Sequence, residues 1–178
     1  MDSKEVSMEL WDAYTRNGVK TGGVLVRGQR MWPGIYHLVS EVLVRHVDGS
    51  YLCMIRSRQK PNYPGFPECT AGGSALLGED PLACVRRELK EETGIEWTEF
   101  REVVRTVRED CSTIYHSFVC TVDWPKDRIT IQEGETEGYR WLSEEEFREL
   151  LRSGRMIPEC MERMREYYEK MGYLSDGR

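Results

Sequence analysis

Three glutamates, Glu88, Glu91 and Glu92, stand three and four residues apart in the segment RRELKEETG. On a helix, residues at these spacings lie on the same face, so their carboxylates would crowd one flank. Each such like-charge pair destabilises a helix by about 0.2–0.5 kcal/mol. A divalent cation would relieve the repulsion, and carboxylate oxygens suit Mg²⁺ or Mn²⁺. The cluster is therefore a candidate metal site, although a solvated acidic helix face would carry the same residues.

Neighbouring residues could complete such a site. Arg87 lies one turn before Glu91, where it could pair with Glu91 or with Glu79. The glycine pair Gly72 and Gly73 would let a backbone carbonyl approach a bound ion with no Cβ in the way. Both features place possible partners directly beside the acidic cluster.

A helix over residues 80–93 is expected to present these side chains. Asp80 is a favourable N-cap, Pro81 suits the first helical position, and Gly94 is a typical C-cap. Residues 72–79, just before this helix, are predicted as a loop.

The rest of the chain mixes strands and helices. Asp48-Gly49 predicts a hairpin turn, and Ser143-x-x-Glu146 predicts a capping box at the start of a helix. This mixture indicates a layered α/β or α+β fold in one domain, residues 1–178, with residues 1–35 as an appended β element. Strands are predicted at 24–26, 36–47, 51–57, 101–108, 113–122 and 138–142, and further helices at 143–152 and 157–171.

Residues 73–95 as a whole match the pattern G-x5-E-x7-R-E-U-x-E-E-x-G-U, where U is aliphatic. With seven fixed residues at ordinary usage, a chance match is rarer than roughly one in 10⁷ windows. On this box the chain is identified as a member of the Nudix hydrolase family. The resemblance implies an α/β/α sandwich around a mixed β-sheet, with an N-terminal extension and a C-terminal helix. The defined positions are filled by Gly73, Glu79, Arg87, Glu88, Leu89, Glu91, Glu92, Gly94 and Ile95.

The resemblance also implies an activity, the cleavage of a diphosphate linkage in a nucleoside diphosphate derivative with Mg²⁺ or Mn²⁺. It implies Glu88, Glu92 and the Gly72 carbonyl as metal ligands. Glu91 would be a further ligand or the base that orients water. Arg87 would join the catalytic set by holding the glutamates in place. The remaining motif positions, expected to be structural, are Gly73, Glu79 and Gly94.

Members of this family often add an acidic residue from a loop beyond the box. The candidates here are Glu133, Glu135 and Glu137, of which Glu135 is the preferred metal ligand or general base. An exposed loop acid is the alternative for each.

Two groups of residues could contact the substrate outside the box. Cations in the run IRSRQK could meet its phosphates, although ordinary surface charge is the alternative. The cations are Arg56, Arg58 and Lys60. Aromatic side chains could stack on a base, although packing in the core or loops is the favoured interpretation. They are Trp32, Tyr36, Tyr63 and Phe66.

The flanks of the box resemble the branch of this superfamily that isomerises isopentenyl diphosphate. His37 at the start of a strand, residues 56–60 and residues 64–66 carry that resemblance. That isomerase uses a cysteine in a C-G-H segment, whereas residues 71–73 here are Ala-Gly-Gly. Cys69 is two positions away, which would keep it on the same face of a strand but not in the same place. Isomerisation is therefore disfavoured.

Two more alternatives concern function. A nucleotide-sensing module that binds without turnover would be expected to lose the glutamates, which are all present. Cleavage of RNA caps is disfavoured because the net charge is −6 and no arginine-rich stripe is present. A small-molecule diphosphate remains the expected substrate.

The composition of the 178-residue chain limits its expected cellular location and the kinds of metal site it could hold. No apolar run approaches the roughly 20 residues that cross a bilayer, and the acidic N-terminus does not resemble a secretory leader. The six cysteines include no C-x-x-C pair of the kind that zinc ribbons need. We therefore expect a cytoplasmic protein, with a homodimer as the expected assembly.

Overall fold

A computed structural model of the chain describes residues 8–175. Within that range it contains nine strands and three helices in an α/β/α sandwich, as expected. No helix in the described range is long and apolar enough to span a bilayer. The elements are β1 (Leu10–Tyr14), β2 (Lys20–Val26), β3 (His37–His46), β4 (Tyr51–Arg56), β5 (Pro67–Glu68), β6 (Thr70–Ser74), α1 (Pro81–Thr93), β7 (Arg101–Arg108), β8 (Thr113–Val122), β9 (Thr136–Leu142), α2 (Glu144–Arg152) and α3 (Pro158–Lys170).

Strand β3 is the centre of the mixed sheet. It pairs in parallel with β8, and β8 pairs antiparallel with β7. On its other edge β3 pairs antiparallel with β6, so that Val42 lies between Phe118 of β8 and Ala71 of β6. Strand β4 carries β5 and β9. The sheet therefore brings β6, the first strand of the box, against its central strand.

The two faces of the sheet bury separate hydrophobic clusters, because alternate residues of a strand point to opposite faces. On one face, Val42 belongs to a cluster with Val85 and Leu89 of α1. On the other face, Leu43 belongs to a cluster with residues of α2 and α3, including Phe147 and Tyr168. Helix α1 thus covers one face, and α2 and α3 cover the other.

The hairpin predicted at Asp48-Gly49 forms only at its tip. Gly49 has φ +92°, and the His46 amide donates to the Ser50 carbonyl at 2.8 Å. Beyond the pair Arg45–Tyr51, β4 leaves β3 and pairs with β5 and β9, while β6 takes its place beside β3. The predicted loop at 72–79 is accordingly wrong for its first three residues, which end β6.

Residues 10–26 form a separate two-stranded sheet, β1–β2, of which the sequence predicted only the end of β2. One bridge, between Tyr14 and Tyr36, links this hairpin to the start of β3. The hairpin does not extend the main sheet, in which both edges of β3 are paired with β8 and β6. The hairpin instead packs its Tyr14 in a cluster with Ala75 and Cys84, on the box side.

Helix α3 is joined to the sheet by a buried ion pair that the sequence did not predict. The Arg163 guanidinium donates to both carboxylate oxygens of Glu41 on β3, at 2.9 and 2.7 Å. Ser117 of β8 donates a third hydrogen bond to Glu41 at 2.7 Å. Because Glu41 is 3% exposed, this pair satisfies a charge that has almost no access to water.

Candidate active site

Helix α1 presents the acidic residues as the sequence predicted. The Asp80 carboxylate caps its first turn by accepting a hydrogen bond from the Ala83 amide at 2.7 Å. Gly94 ends it in the left-handed conformation, φ +75°, and donates its amide to the Lys90 carbonyl at 2.9 Å. A Cβ on Gly94 would meet Thr130 at 2.9 Å, which is a second reason for glycine there.

Arg87 is the centre of the ion-pair network along this helix. Its guanidinium donates to both oxygens of Glu79, at 2.7 and 2.9 Å, and to the Ser74 carbonyl at 3.0 Å. It also donates to Glu88 at 2.6 Å and to Glu91 at 3.1 Å. The alternatives predicted for Arg87, pairing with Glu79 or with Glu91, are therefore realised together. The contact with Glu79 is bidentate, and the single hydrogen bonds to Glu88 and Glu91 restrict where these two carboxylates of α1 can lie.

The glycine pair lets β6 and α1 approach each other. A Cβ on Gly73 would lie 2.5 Å from Oε1 of Glu88, and a Cβ on Gly72 would lie 2.6 Å from Cα of Glu41. The Gly72 amide donates to Oε2 of Glu92 at 3.2 Å. Gly73 is thus required by a side chain of the site, and Gly72 by the backbone of the adjacent strand.

We expect the two alanine substitutions at this pair to separate activity from folding. Gly73→Ala should lower kcat by about tenfold or more, because its Cβ must displace the Glu88 carboxylate, while the thermal midpoint changes little. Gly72→Ala should lower the thermal midpoint strongly, because its Cβ meets fixed backbone of β3. Steady-state kinetics and thermal melts of both variants check this. Equal loss of stability in the two variants would contradict it.

Glu92 lies deepest in the site. Burial raises the pKa of its carboxyl to about 8, and the negative charges of Glu68 and Glu88 add to the effect. Burial likewise raises the pKa of Glu88, against the opposing hydrogen bond from Arg87. A carboxylate with such neighbours gains from a cation placed next to it.

Glu68 is a neighbour of Glu92 that sequence analysis missed. It lies on β5 and accepts a hydrogen bond from Arg56 at 2.8 Å. Arg56 also donates to the Asn62 carbonyl at 3.3 Å. Arg56 is thus tied to Glu68 and to its own loop. No local spacing signals this pair, because the two residues meet only through the pairing of β4 with β5.

The carboxylates of α1 line a cleft of about 680 Å³. One of its walls consists of Gly72–Ser74 of β6 with Glu88, Glu91 and Glu92. Residues from distant parts of the chain close the other sides, among them Leu10, Arg27 and Lys60. Of the three predicted loop acids, Glu135 lines this cleft and forms an ion pair there with Lys60.

The other two loop acids, Glu133 and Glu137, and the cation Arg58 lie outside the cleft. Glu137 pairs with Arg58 at 3.3 Å, and the Arg58 side chain is 84% exposed. Neither of these two residues, nor Glu133, lines the cleft. Lys60 is therefore the member of the IRSRQK run that reaches the carboxylates of the site.

The four aromatic residues considered for base stacking are not among the residues that line the cleft. Trp32 is 76% exposed. Tyr36 is buried with the N-terminal hairpin, and its hydroxyl donates to Glu109. Tyr63 and Phe66 pack on each other, with ring centroids 5.4 Å apart. Packing thus accounts for three of them, which agrees with the interpretation favoured for these side chains.

Cys69 is not on the same face of the sheet as Ala71, and that prediction was wrong. Cys69 packs in the cluster of α2 and α3, whereas Ala71 packs in the cluster of α1. At Cys69 the chain changes from pairing with β4 to pairing with β3, which breaks the alternation of faces. Cys69 is 4% exposed, and its hydrogen bond with Cys53, together with burial, raises the pKa of its thiol. It therefore lacks the character of a cleft nucleophile.

The donor set of the cleft consists of oxygen atoms, as hard divalent cations require. Within residues 8–175, no three acidic, histidine or cysteine side chains already converge as a ligand group. Glu88 is held by Arg87, and Glu92 by the Gly72 amide. Burial and then the nearby charges of Glu68 and Glu88 raise the pKa of Glu92, and a cation would offset both effects. In their chemistry, and in lining one cleft, the carboxylates fit Mg²⁺ or Mn²⁺.

Comparison with known proteins agrees with this geometry. The NUDIX domain family model matches residues 36–160, which is more than half of the chain. The chain belongs to the Nudix family. An uncharacterized Nudix hydrolase of Listeria monocytogenes is 32% identical over 158 residues, which cover 85% of this chain and 89% of that relative. This Nudix chain is accordingly an enzyme of the pyrophosphohydrolase type.

Solved structures share the Nudix fold. A crystal structure from Deinococcus radiodurans has a TM-score of 0.71 at 19% identity and covers 90% of this chain and 99% of that one. A bifunctional NMN adenylyltransferase/ADP ribose pyrophosphatase from Francisella tularensis, complexed with AMP and a manganese ion, has a TM-score of 0.55 at 19% identity. It covers 76% of this chain and 42% of that one. Nudix enzymes generally use divalent metals, and that structure contains one.

Proposed function

We propose that this Nudix chain is a Mg²⁺- or Mn²⁺-dependent hydrolase that cleaves the diphosphate linkage of a nucleoside diphosphate derivative or a related organic diphosphate. The observation that carries the proposal is one cleft lined by Glu88, Glu91, Glu92 and Glu135. A diphosphate is repelled by such a site unless cations come between them. When bound, a divalent ion supplies that charge, lowers the pKa of coordinated water and stabilises the leaving oxygen.

The box residues are proposed to bind the metal ion, orient the attacking water and position the glutamates. Glu88, Glu92 and the Gly72 carbonyl hold the ion, and Glu91 is a further ligand or orients the attacking water. Glu91 suits either role because its side chain is 51% exposed at the cleft. Arg87 keeps the glutamates in position, as its five hydrogen bonds to Glu79, Ser74, Glu88 and Glu91 support.

The residues beyond the box are proposed to serve the substrate side. Glu135 acts as an added ligand or general base, and Lys60, its ion-pair partner, contacts a substrate phosphate once bound. Arg58 is proposed as a phosphate contact outside the cleft, for which its 84% exposed side chain is accessible to a bound substrate. Arg56 acts through Glu68, whose charge it balances beside Glu92.

We further propose that residues 1–178 work as one domain and assemble as a homodimer. Support for one domain comes from the hairpin β1–β2, which contacts the box loop, residues 75–80 between β6 and α1, through two hydrogen bonds at 2.8 Å. Sedimentation velocity tests the dimer, which predicts a particle of twice the chain mass.

The test of the proposed activity is metal-dependent product release. Purified protein is incubated with a panel of nucleotide diphosphate derivatives and organic diphosphates in Mg²⁺, in Mn²⁺ and in EDTA, and products are identified by mass. We expect turnover in either metal and loss of at least about a hundredfold in EDTA. Binding without turnover in metal would instead support the sensing module. Turnover that persists unchanged in EDTA would overturn the metal-dependent mechanism.

A further inference from the structure

The N-terminal hairpin β1–β2 is fixed as a wall of the cleft, although the Nudix box does not include it. The Leu77 amide donates to the Leu10 carbonyl at 2.8 Å, and the Gly78 amide donates to the Asp12 carboxylate at 2.8 Å. Asp12 is held in turn by Lys20 at 2.7 Å. The hairpin is therefore attached to the same loop that leads into α1, and its position relative to the carboxylates is set.

Arg27 is the cleft cation with the most unused donors. Its amide and its Nη1 donate to the Glu9 carbonyl and carboxylate, at 2.9 and 2.7 Å, and Trp11 donates to the same carboxylate at 2.7 Å. These bonds orient Arg27, while its side chain stays 68% exposed. The other two cations that line the cleft in the described part of the chain, Arg87 and Lys60, are already paired with glutamates.

Four aliphatic side chains also line the cleft, which is otherwise polar. Met8 and Leu10 of the hairpin segment face the cleft together with Leu76 and Leu77 of the box loop. In the described chain, the residues that line the cleft include no phenylalanine, tyrosine, tryptophan or histidine. A nucleobase is usually held by stacking on an aromatic or planar group, and this wall offers only Arg27 for that purpose.

We propose that this hairpin wall selects the substrate, with Arg27 binding an anionic oxygen of the diphosphate and the aliphatic residues contacting a flexible aliphatic group attached to it. The substrate class is therefore a diphosphate ester with an aliphatic chain on the hairpin side and no base there. The inference rests on the proposed hydrolase activity and assigns one half of its substrate. The hairpin segment supplies the anion contact through Arg27, and together with the loop to which it is hydrogen-bonded, at Leu77 and Gly78, it supplies the apolar contact.

The test uses substrates that share one half. Three ADP derivatives keep the AMP half and carry an n-hexyl chain, a ribose or a second adenosine on the other phosphate. In Mg²⁺ we expect kcat/KM for the hexyl ester to exceed that for the diadenosine compound by about tenfold. Leu77→Ser should remove that preference. Leu82→Ser should keep it, because Leu82 is similarly exposed (40% against 46%) but lies outside the cleft.

The contribution of Arg27 is read from KM. Arg27→Gln should raise KM for all three substrates by about tenfold with kcat little changed, and Arg27→Lys should recover part of that loss. Arg16→Gln is the matched control, since Arg16 is an exposed arginine of the same hairpin that pairs with Glu109 away from the cleft.

The outcomes separate the two proposals. If wild-type protein hydrolyses none of the three compounds nor any other diphosphate, the proposed activity itself fails. If it hydrolyses them without preferring the hexyl ester, or if Leu77→Ser and Leu82→Ser behave alike, the activity stands and the hairpin assignment is overturned.

Discussion

Glu92→Gln is expected to lower kcat for diphosphate hydrolysis by at least about a thousandfold, which corresponds to about 4 kcal/mol of barrier. The amide keeps the shape of the side chain and can still accept the hydrogen bond that the Gly72 amide gives to Glu92. It removes the negative charge that a divalent ion would bind. Steady-state kinetics in Mg²⁺ measures the loss.

The same substitution should leave folding intact. Because the pKa of Glu92 is raised to about 8 in the fold, its proton is held more tightly there than in the unfolded chain. Its contribution to stability is therefore full below about pH 4.5 and is lost as the pH rises through about 8. A neutral amide avoids that loss, so metal-free Glu92→Gln should be at least as stable as wild type at pH 9. Thermal melts in EDTA measure this.

The matched control for Glu92→Gln is Glu96→Gln. Glu96 lies just beyond α1, is exposed and pairs with Lys90. It should keep wild-type kinetics and stability. Near-wild-type turnover in Glu92→Gln would remove Glu92 from the metal-binding set.

Arg163→Met should lower the free energy of unfolding by about 3–5 kcal/mol, because it leaves the Glu41 carboxylate buried without its counter-charge. Among residues 8–175, Ser117 and a long contact from Thr70 would then be the remaining donors to that carboxylate. Replacing both partners, as in Glu41→Leu with Arg163→Met, should recover much of the loss. Urea unfolding of the three proteins measures the difference.

Arg165→Met is the control on the same helix. Arg165 is 45% exposed and pairs with Glu162, so its loss should cost less than about 1 kcal/mol. Equal effects of Arg163→Met and Arg165→Met would show that the buried pair does not hold α3 to the sheet. Because Glu41 lies opposite Gly72 in the register of β3 and β6, the destabilised variant should also lose activity.

The predictable parts of the site are those that depend on interactions between residues close in sequence. The cap at Asp80, the stop at Gly94 and the spacing of Glu88, Glu91 and Glu92 all act within one helix, so α1 and its acidic flank could be predicted. The pair Arg87–Glu79 spans eight residues and was also predicted. In each case the interaction depends on a few neighbouring residues.

The parts that were missed depend on strand pairing between distant segments. Arg163 and Glu41 are 122 residues apart, and no spacing relates them. Arg56 meets Glu68 only because β4 pairs with β5. At Cys69 the chain changes its partner strand from β4 to β3, which depends on the free edge of β3. The alternation of side chains along a strand carries no information about that change.

The wall formed by β1–β2 was missed for a similar reason. Its residues carry no motif, and β1 was not predicted at all. The hairpin reaches the cleft loop through a backbone hydrogen bond from the Leu77 amide to the Leu10 carbonyl and a hydrogen bond from the Gly78 amide to the Asp12 carboxylate, and both join residues 66 or more positions apart. The contact between the hairpin and the loop before α1 therefore could not be predicted from a local sequence pattern.

The proposed mechanism requires that the carboxylates on the acidic face of α1 bind a divalent cation. The most direct measurement is anomalous diffraction at the manganese edge from crystals soaked in Mn²⁺. We predict an anomalous peak in the cleft within about 2.0–2.3 Å of carboxylate oxygens of Glu88 and Glu92. A cleft without such a peak, with both carboxylates still held by Arg87 and the Gly72 amide, would contradict the account.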